Sequence, residues 1–408
     1  MPVNLIAPEK DDLLPIAGIK LGVASAGIKT VGRVDLVLIE LMADTTSSAI
    51  YTKNAFCAAP VTLAKRHQSE ASPRYLLINS GNANAGTGDK GMLAAQTCCQ
   101  AVSELSKLNS NMVLPFSTGV IGQQLPVEKI KTSLPDAYQN LATDNWYAAA
   151  HAIMTTDTIA KALSKQLEID GKTITVTGIA KGSGMIRPDM ATMLSYIATD
   201  AAIDKVVLDA MLLKAADQSF NRISVDGDTS TNDACVLMAT GQASNELITD
   251  FDSVNAQAIY QVIAEVSQHL AHAIVRDGEG ATKFIEIEVE QGKSTEECRQ
   301  IAYTIAHSPL VKTALFASDP NWGRILAAVG RSGISDFDLS KVAIYLGNVC
   351  IVDGGEPASG YTEQKGQQVT SQDEILIRVV LGRGDASDTV WTCDFSYDYV
   401  KINAEYRT

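Results

Sequence analysis

The sequence has little histidine and no ordered cysteine pattern. Its 408 residues include five histidines and seven cysteines, and no two cysteines form a C-x-x-C pair. The one close histidine pair, His269 and His272, has neither a cysteine nor a glutamate between its members. Structural zinc sites and disulfide frameworks both need ligands or cysteines at regular spacing. We therefore expect neither of them, and no metal.

Basic charge and long apolar runs are also scarce. The chain has 33 basic and 47 acidic residues, a formal net charge of -14. Binding to nucleic acids depends on clustered Lys and Arg, and a membrane-spanning helix needs about 20 apolar residues in succession. The first residues, MPVNLIAPEKDDLLP, place acids and prolines where a signal peptide has its apolar region. We expect no nucleic-acid or membrane partner and a cytoplasmic location.

What the sequence does contain is an ordinary globular composition, 46% hydrophobic and 20% charged, with mixed helix and strand patterns. The length suggests about two or three domains or one two-lobed unit. Because strands and helices do not alternate strictly, an α+β layered fold is favoured over a doubly wound one. Strands are predicted at 34–41, 75–79, 173–179, 193–198, 283–290, 342–352, 375–381 and 391–395. Helices are predicted at 91–108, 141–155, 204–220 and 255–275.

Two loops resemble ligand-binding motifs. Gly86-Thr-Gly-Asp-Lys-Gly91 lies between a strand and a helix, as a dinucleotide fingerprint does, but its connection is long and no acidic residue ends a second strand. A loop whose asparagines satisfy the backbone is the main alternative to nucleotide binding. Asp226-Gly-Asp-Thr-Ser-Thr-Asn-Asp233 lacks the glycine and glutamate of a calcium loop at the required positions. It is expected to be a turn-rich loop.

The segment Lys181-Gly-Ser-Gly-Met-Ile-Arg-Pro-Asp-Met-Ala-Thr-Met-Leu194 carries a different chemistry. Ala191-Thr192 lies where a turn meets an apolar strand, and there a hydroxyl can attack its own preceding carbonyl. Hydrolysis of the resulting ester would leave Thr192 as a new N-terminus. A free α-amino group, with a pKa near 7.7–8.0, can serve as base for the hydroxyl of the same residue. No serine or cysteine triad is then needed, although a threonine before a strand is more often only a β-branched filler.

Acyl transfer also requires donors for a developing oxyanion. Ser117-Thr-Gly-Val-Ile-Gly122 follows an apolar run and predicts a turn at the end of a strand. The amide of Gly119 and the hydroxyl of Thr118 could there point at one position. A simple turn between a strand and a helix explains the same residues equally well.

With these residues in view, the chain resembles the ornithine acetyltransferase family, the self-cleaving glutamate N-acetyltransferases of arginine biosynthesis. The resemblance extends over nearly the whole length. Its motifs, in family order, are Asn79-Ser-Gly-Asn-Ala-Asn84, Ser117-Thr-Gly119, Met154-Thr-Thr-Asp157, Lys181-Gly-Ser-Gly-Met185, Met190-Ala-Thr-Met-Leu194, Val225-Asp-Gly-Asp-Thr-Ser-Thr-Asn-Asp233, Asp277-Gly-Glu-Gly-Ala-Thr282 and Asp319-Pro-Asn-Trp-Gly-Arg324. Asp189 departs from the asparagine of many members and could alter the rate of self-cleavage.

The resemblance implies an αββα fold of the N-terminal-nucleophile type in two lobes. It also implies cleavage between Ala191 and Thr192 into an α chain, 1–191, and a β chain, 192–408, assembled as a heterotetramer of two α and two β chains. Thr192 would be the nucleophile, with Thr118 and Gly119 as the oxyanion hole. The residues implied to bind substrate are Thr155, Lys181, Thr192, Glu279, Asn403 and Thr408.

The implied reaction moves the acetyl group of N2-acetyl-L-ornithine to L-glutamate through acetyl-Thr192. No cofactor is implied, and acetyl-CoA is a candidate second acetyl donor. One alternative is a self-processing amidase or aminopeptidase, in which water resolves the acyl-enzyme. Another, of a different class, is a nucleotide-binding regulatory module built on Gly86–Gly91.

Overall fold

The computed structural model describes residues 2–187 and 193–405. The chain divides into two compact units, each of which draws on separate stretches of the sequence. The N-terminal unit comprises Ile6–Asn221 and Asp228–Ile274. The C-terminal unit comprises Met1–Leu5, Arg222–Gly227 and Val275–Thr408. The bond between residues 191 and 192 therefore falls inside the N-terminal unit in sequence, not at a boundary between units.

Helices and strands are interspersed along the described chain. The strands are β1 Ile19–Ala24, β2 Leu36–Leu41, β3 Thr46–Tyr51, β4 Tyr75–Asn82, β5 Val113–Val120, β6 Lys161–Ile169, β7 Lys172–Lys181, β8 Leu194–Thr199, β9 Ile223–Ser224, β10 Ala234–Ala239, β11 Phe284–Gly292, β12 Ala343–Leu346, β13 Val349–Asp353, β14 Glu356–Pro357, β15 Glu374–Val380 and β16 Ala386–Cys393. The helices are α1 Ala59–Glu70, α2 Gly88–Ser106, α3 Val127–Gln139, α4 Trp146–Ala152, α5 Lys205–Gln218, α6 Val254–Arg276, α7 Thr295–Ala306, α8 Pro309–Phe316, α9 Trp322–Gly330, α10 Glu363–Thr370 and α11 Tyr397–Ala404.

Two sheets face each other in the N-terminal unit. One has the order β1-β2-β4-β5 and the other β3-β10-β8-β7-β6. Their inner faces share one core, which includes Ile39 and Phe116 from the first sheet and Tyr196 and Val236 from the second. Phe116 and Tyr196 meet edge to face, with ring centroids 5.4 Å apart. Such a sheet-on-sheet arrangement buries the apolar inner face of each strand.

Helices cover the outer face of each sheet. Buried side chains of α1, α2 and α3 pack with outward residues of β2, β4 and β5. On the other side α5 contacts β3 and β10, and α6 contacts β7, where a side chain on Gly178 would meet Val266 and Leu270. Because both faces are covered, β8 and β10 are buried along their whole lengths. The αββα arrangement expected from the resemblance is therefore confirmed.

The C-terminal unit is built on one sheet, with the order β14-β13-β12-β15-β11-β16-β9. Helices α7, α8 and α9 pack on it through a core that includes Ile287, Ile301 and Val390. Strand β11 alternates buried apolar residues with half-buried glutamates, the pattern of a strand with one solvent-facing side, and confirms the strand predicted at 283–290. No helix in the described part of the chain is long and apolar enough to span a membrane.

Two predicted elements differ in the structure. The predicted strand at 342–352 is a hairpin, β12 and β13, because Gly347 turns the chain with a φ of +53°. The predicted helix at 141–155 is reduced to α4. The first residues of the predicted helix are not helical, because Leu21 and Ala142 exchange backbone hydrogen bonds of 2.9 and 3.0 Å. These long-range contacts outweigh the local helical pattern.

Candidate active site

Residues 117–120 form the irregular end of strand β5 in the N-terminal unit, and this strand end, with the bend at 121–123 that follows it, is called the Gly119 turn. Strands β4 and β5 run parallel, and Gly119 lies opposite Gly81. Gly119 has a φ of +131°, and a Cβ built on it would lie 2.3 Å from the carbonyl carbon of Gly81. Only glycine fits both the backbone conformation and this close approach. The predicted turn at 117–122 is therefore only partly right, because residues 117–120, including the buried Thr118, belong to β5 and the chain bends only after Val120.

Two asparagine side chains fix the backbone of this turn. Asn79 accepts a hydrogen bond of 2.6 Å from the Ser117 hydroxyl. Asn232, from the loop before β10, donates to the carbonyls of Ser117 at 2.9 Å and Ala83 at 2.6 Å. Because the Asn232 side chain is buried, each lost bond would leave a polar group unsatisfied. Asn232 belongs to the motif Val225–Asp233, but its role in holding this backbone was not predicted from the sequence.

Lys181, the last residue of β7, reaches the same turn. Its Nζ donates to Oγ1 of Thr118 at 3.1 Å, and the residue is 8% exposed. An ammonium group has donors and no acceptor. The Thr118 hydroxyl, already accepting from Lys181, must therefore direct its own hydrogen elsewhere. Lys181 in this way makes Thr118 available as a donor, which is what an oxyanion hole requires.

Asp157 connects Lys181 to Thr155, two residues that the resemblance implied for substrate binding. Its carboxylate accepts from the backbone N–H of Thr155 at 2.9 Å and of Gly182, which follows Lys181, at 2.8 Å. Lys161 Nζ donates to it at 2.6 Å, and both side chains are fully buried. Burial opposes ionisation, but the charges of Lys161 and Lys181 hold the pKa of Asp157 well below its ordinary value.

This cluster of Asp157, Lys161 and Lys181 carries more positive than negative charge. One ionised carboxylate faces two lysines, so its surroundings favour a negatively charged ligand group. The roles of Asp157 and Lys161 were not predicted from the sequence. Asp157 belongs to the motif Met154-Thr-Thr-Asp157. Lys161, the first residue of β6, lies four residues later and belongs to no motif that would identify it.

The same sheet places the start of β8 beside Lys181. Lys181 pairs with Leu194, Leu194 pairs with Ala234, and the Ala234 N–H donates to the Met193 carbonyl at 2.9 Å. Met193 directly follows Thr192 in the sequence. Ala191 and Thr192, the predicted cleavage pair, lie outside the described residues, as do Asp189 and Thr408. Their predicted roles stay predictions.

Asp233 is a second buried acid in this sheet, and it has the opposite character. It is 3% exposed, and its Oδ2 has no hydrogen-bond partner among residues 2–187 and 193–405. Burial raises the pKa of Asp233 well above its ordinary value, despite a hydrogen bond to the Ser230 side chain and the charge of Lys181. Burial thus favours the neutral form of the Asp233 carboxyl, whereas the nearby lysines favour the ionised form of Asp157.

Glu279 and Asn403 meet in the C-terminal unit. Asn403 Nδ2 donates to Oε2 of Glu279 at 2.8 Å, although 124 residues separate them. Glu279 is 6% exposed and lies on the turn before β11. A buried carboxylate held in this way suits an ammonium group. The structure thus pairs two of the residues that the resemblance implied.

The Gly86–Gly91 loop is filled by its own side chains. Asn84 Oδ1 accepts from the Thr87 hydroxyl at 2.9 Å, and Asn84 Nδ2 donates to the Gly91 carbonyl at 2.9 Å. A Cβ on Gly91 would lie 1.8 Å from Thr87 Oγ1. The geometry matches the expectation that asparagines satisfy the backbone here, and it favours that explanation over a dinucleotide fingerprint.

A glycine turn, a hydroxyl oriented by a buried lysine and two facing sheets together define an αββα enzyme built for acyl transfer. The ArgJ family model matches residues 20–408, and the chain belongs to this family.

Similar proteins carry related names. The arginine biosynthesis bifunctional protein ArgJ of Pseudomonas syringae pv. tomato is 55% identical over 97% of this chain and 98% of its own. The crystal structure of arginine biosynthesis bifunctional protein ArgJ from Bacillus halodurans is 41% identical with a TM-score of 0.50, covering 52% of this chain and 99% of that chain. The crystal structure of ornithine acetyltransferase from Mycobacterium tuberculosis, complexed with ornithine, is 31% identical with a TM-score of 0.38. The match covers 43% of this chain and 94% of that chain.

Proposed function

We propose that this protein transfers the acetyl group of N2-acetyl-L-ornithine to L-glutamate, by way of an acetyl ester on Thr192. Membership in the ArgJ family supports the reaction. The observation that carries the mechanism is the 3.1 Å hydrogen bond from Lys181 to the Thr118 hydroxyl beside the Gly119 turn. It orients a hydroxyl donor next to a backbone amide, at a buried position where such donors act most strongly.

The reaction consists of two balanced steps. The Thr192 hydroxyl oxygen attacks the acetyl carbonyl carbon, its proton passes to the α-amino group of Thr192, and the amide C–N bond breaks. The departing amine of ornithine receives that proton. In the second step the amine of glutamate attacks the ester carbon, and the Thr192 oxygen leaves with a proton. The hydroxyl of Thr118 and the N–H of Gly119 stabilise the oxyanion in both steps.

Each of the two sets of residues has a charge that suits one kind of substrate group. The surplus positive charge around Lys181 and Lys161 favours an amino-acid carboxylate near Thr155. The Glu279 carboxylate favours the side-chain ammonium of ornithine. A protein of net charge -14 can thus still attract anionic substrates locally.

We also propose that the chain is cut between Ala191 and Thr192, and that the products assemble as two α and two β chains in the cytoplasm. The Bacillus halodurans chain supports the cut, because 99% of it matches and yet covers 52% of this chain. Residues 192–408 likewise make up slightly more than half of the sequence. Denaturing electrophoresis with N-terminal sequencing should reveal a fragment that begins Thr-Met-Leu-Ser; an active uncut chain would refute the mechanism.

Thr192→Ala tests the nucleophile. It removes the attacking hydroxyl, so both cleavage and acetyl transfer should fall to background. The measurements are electrophoresis and release of ornithine from N2-acetyl-L-ornithine in the presence of glutamate. Thr192→Ser, which keeps a hydroxyl, is the matched control and should retain cleavage. Transfer by Thr192→Ala at the wild-type rate would exclude Thr192 as the nucleophile.

Acetyl-CoA is proposed as a second acetyl donor. The name of the Pseudomonas syringae relative, a bifunctional protein, supports two activities. The Thr118 and Gly119 donors would stabilise the oxyanion from a thioester as well as from an amide. An assay with acetyl-CoA as sole donor and glutamate as acceptor tests this, and the absence of N-acetylglutamate would restrict the enzyme to acetyl recycling.

A further inference from the structure

The turn that carries Glu279 is bound to the C-terminal segment of its own unit. The Ser396 hydroxyl donates to the Gly280 carbonyl at 2.6 Å. Gly280 has a φ of +71°, and a Cβ there would lie 2.5 Å from the backbone nitrogen of Tyr399. Glycine is therefore required where the turn meets α11, the helix that also carries Asn403. Both members of the Glu279–Asn403 pair thus depend on this contact.

Asp394 forms the centre of the attachment. It lies just after β16 and is 0% exposed. Its Oδ1 accepts from the backbone N–H groups of Thr282 and Lys283 at 2.8 and 2.9 Å, and its Oδ2 accepts from the Thr282 hydroxyl at 2.5 Å. All three donors stand three or four residues after Glu279. Hydrogen bonds to an ionised acceptor are stronger than neutral ones, so this carboxylate fixes one end of the turn.

Lys312 holds the residues on both sides of Asp394. Its Nζ donates to the Thr392 hydroxyl at 2.8 Å and to the Cys393 carbonyl, and it lies 4.6 Å from the centroid of the Phe395 ring. Burial lowers the pKa of Lys312, while the nearby acidic groups Cys393, Asp394 and Asp226 oppose that shift. The buried ammonium and the buried carboxylate therefore stabilise one rigid segment.

We propose that Asp394 is a positioning residue that sets the preference for substrates with a side-chain ammonium, because it fixes the turn on which Glu279 lies. The inference rests on the proposed function, in which Glu279 binds the ornithine ammonium. An ion pair repays the desolvation of its members only in a well-defined geometry. Loosening the turn should weaken binding of a cationic side chain and leave binding of an uncharged one of the same shape unchanged.

Asp394→Asn is the decisive variant, because an amide keeps the shape but replaces one acceptor oxygen with a donor. The activity to measure is kcat/KM for N2-acetyl-L-ornithine and for N-acetyl-L-norvaline, which lacks the ammonium, with glutamate as acceptor. We expect kcat/KM for the ornithine donor to fall about tenfold, mainly through KM, with little change for norvaline. Asp385→Asn, an exposed aspartate nine residues earlier, is the matched control and should leave both values unchanged.

Ser396→Ala provides a milder test if Asp394→Asn does not fold. It removes only the bond to Gly280 and should shift the same ratio in the same direction by a smaller factor. An unchanged ratio, or an equal fall for both donors in a folded variant, would reduce Asp394 to a structural role.

Titration of L-ornithine into the wild type and Asp394→Asn reports on Glu279 without acetyl transfer. Weaker ornithine binding by the variant would support the inference even where wild-type transfer fails, a failure that would count against the proposed function.

Discussion

The N-terminal and C-terminal units each bury an aspartate that fixes a turn expected to bind substrate, but they compensate its charge differently. Asp157 pairs with Lys161 at 2.6 Å and lies near Lys181. Asp394 accepts from two backbone N–H groups and a hydroxyl, with the buried Lys312 nearby but bonded to Thr392 and Cys393. The first arrangement leaves positive charge at the turn, and the second presents the carboxylate of Glu279. The charge that remains at the turn is positive in the N-terminal unit, where it suits a carboxylate. In the C-terminal unit it is negative and suits an ammonium.

Breaking the Asp157–Lys161 pair should have the largest effect. Asp157→Asn leaves Lys161 buried without its charge partner, and the removal of one member of a buried pair costs about 3–5 kcal/mol. Denaturant unfolding measures this loss. Asp144→Asn is the control, since Asp144 and Lys10 form an exposed pair at 3.6 Å and such pairs contribute about 0–1 kcal/mol. Similar losses for the two variants would show that the buried cluster stabilises the fold no more than a surface pair.

Removing the hydroxyl that Lys181 orients should affect chemistry more than stability. Thr118→Ala is expected to lower kcat for acetyl transfer about 100–1000-fold, the usual effect of losing one oxyanion donor. Thr118→Ser keeps the hydroxyl and should retain most of the rate. The loss in kcat would contrast with the KM effect expected for Asp394→Asn in the other unit. If Thr118→Ala instead raised KM alone, the assignment of Thr118 to stabilising the oxyanion would be wrong.

The smallest effect is expected at Asp233, which has burial in common with Asp157 but not its close cation. The pKa of Asp233 is raised in the folded protein, so the folded state binds a proton that the unfolded chain releases above about pH 4. Stability should therefore fall as pH rises above that value, opposite to the contribution of Asp157. Asp233→Asn removes this cost.

Thermal unfolding of Asp233→Asn at several pH values checks this sign. The variant should gain stability relative to the wild type near pH 7, by a few degrees in Tm, with the gain shrinking as the pH approaches 4. Because burial raises the pKa of Asp233 and so favours its neutral form, an uncharged amide should replace the carboxyl with little disturbance. A loss of stability that grows toward neutral pH would mean that Asp233 is ionised, as Asp157 is.

Local pattern was sufficient where residues act through their neighbours in the chain. The strands that became β8 and β11 were predicted, since each depends on a local pattern of apolar residues. The predicted strand at 342–352 was wrong because one glycine inside an apolar run reverses the chain. The helix at 141–155 was too long because Ala142 pairs with a strand 121 residues earlier.

The sequence by itself determined the family, the order of its motifs and the candidates Thr118, Gly119, Lys181 and Glu279, because residue types and short spacings are written in the chain. Only the tertiary structure decided how those residues are held. Asp157 meets Gly182 across 25 residues, and Asp394 meets Thr282 across 112. Such partners are chosen by the pairing of strands and the burial of charge, which no local pattern records. A buried carboxylate must find its donors wherever the fold brings them.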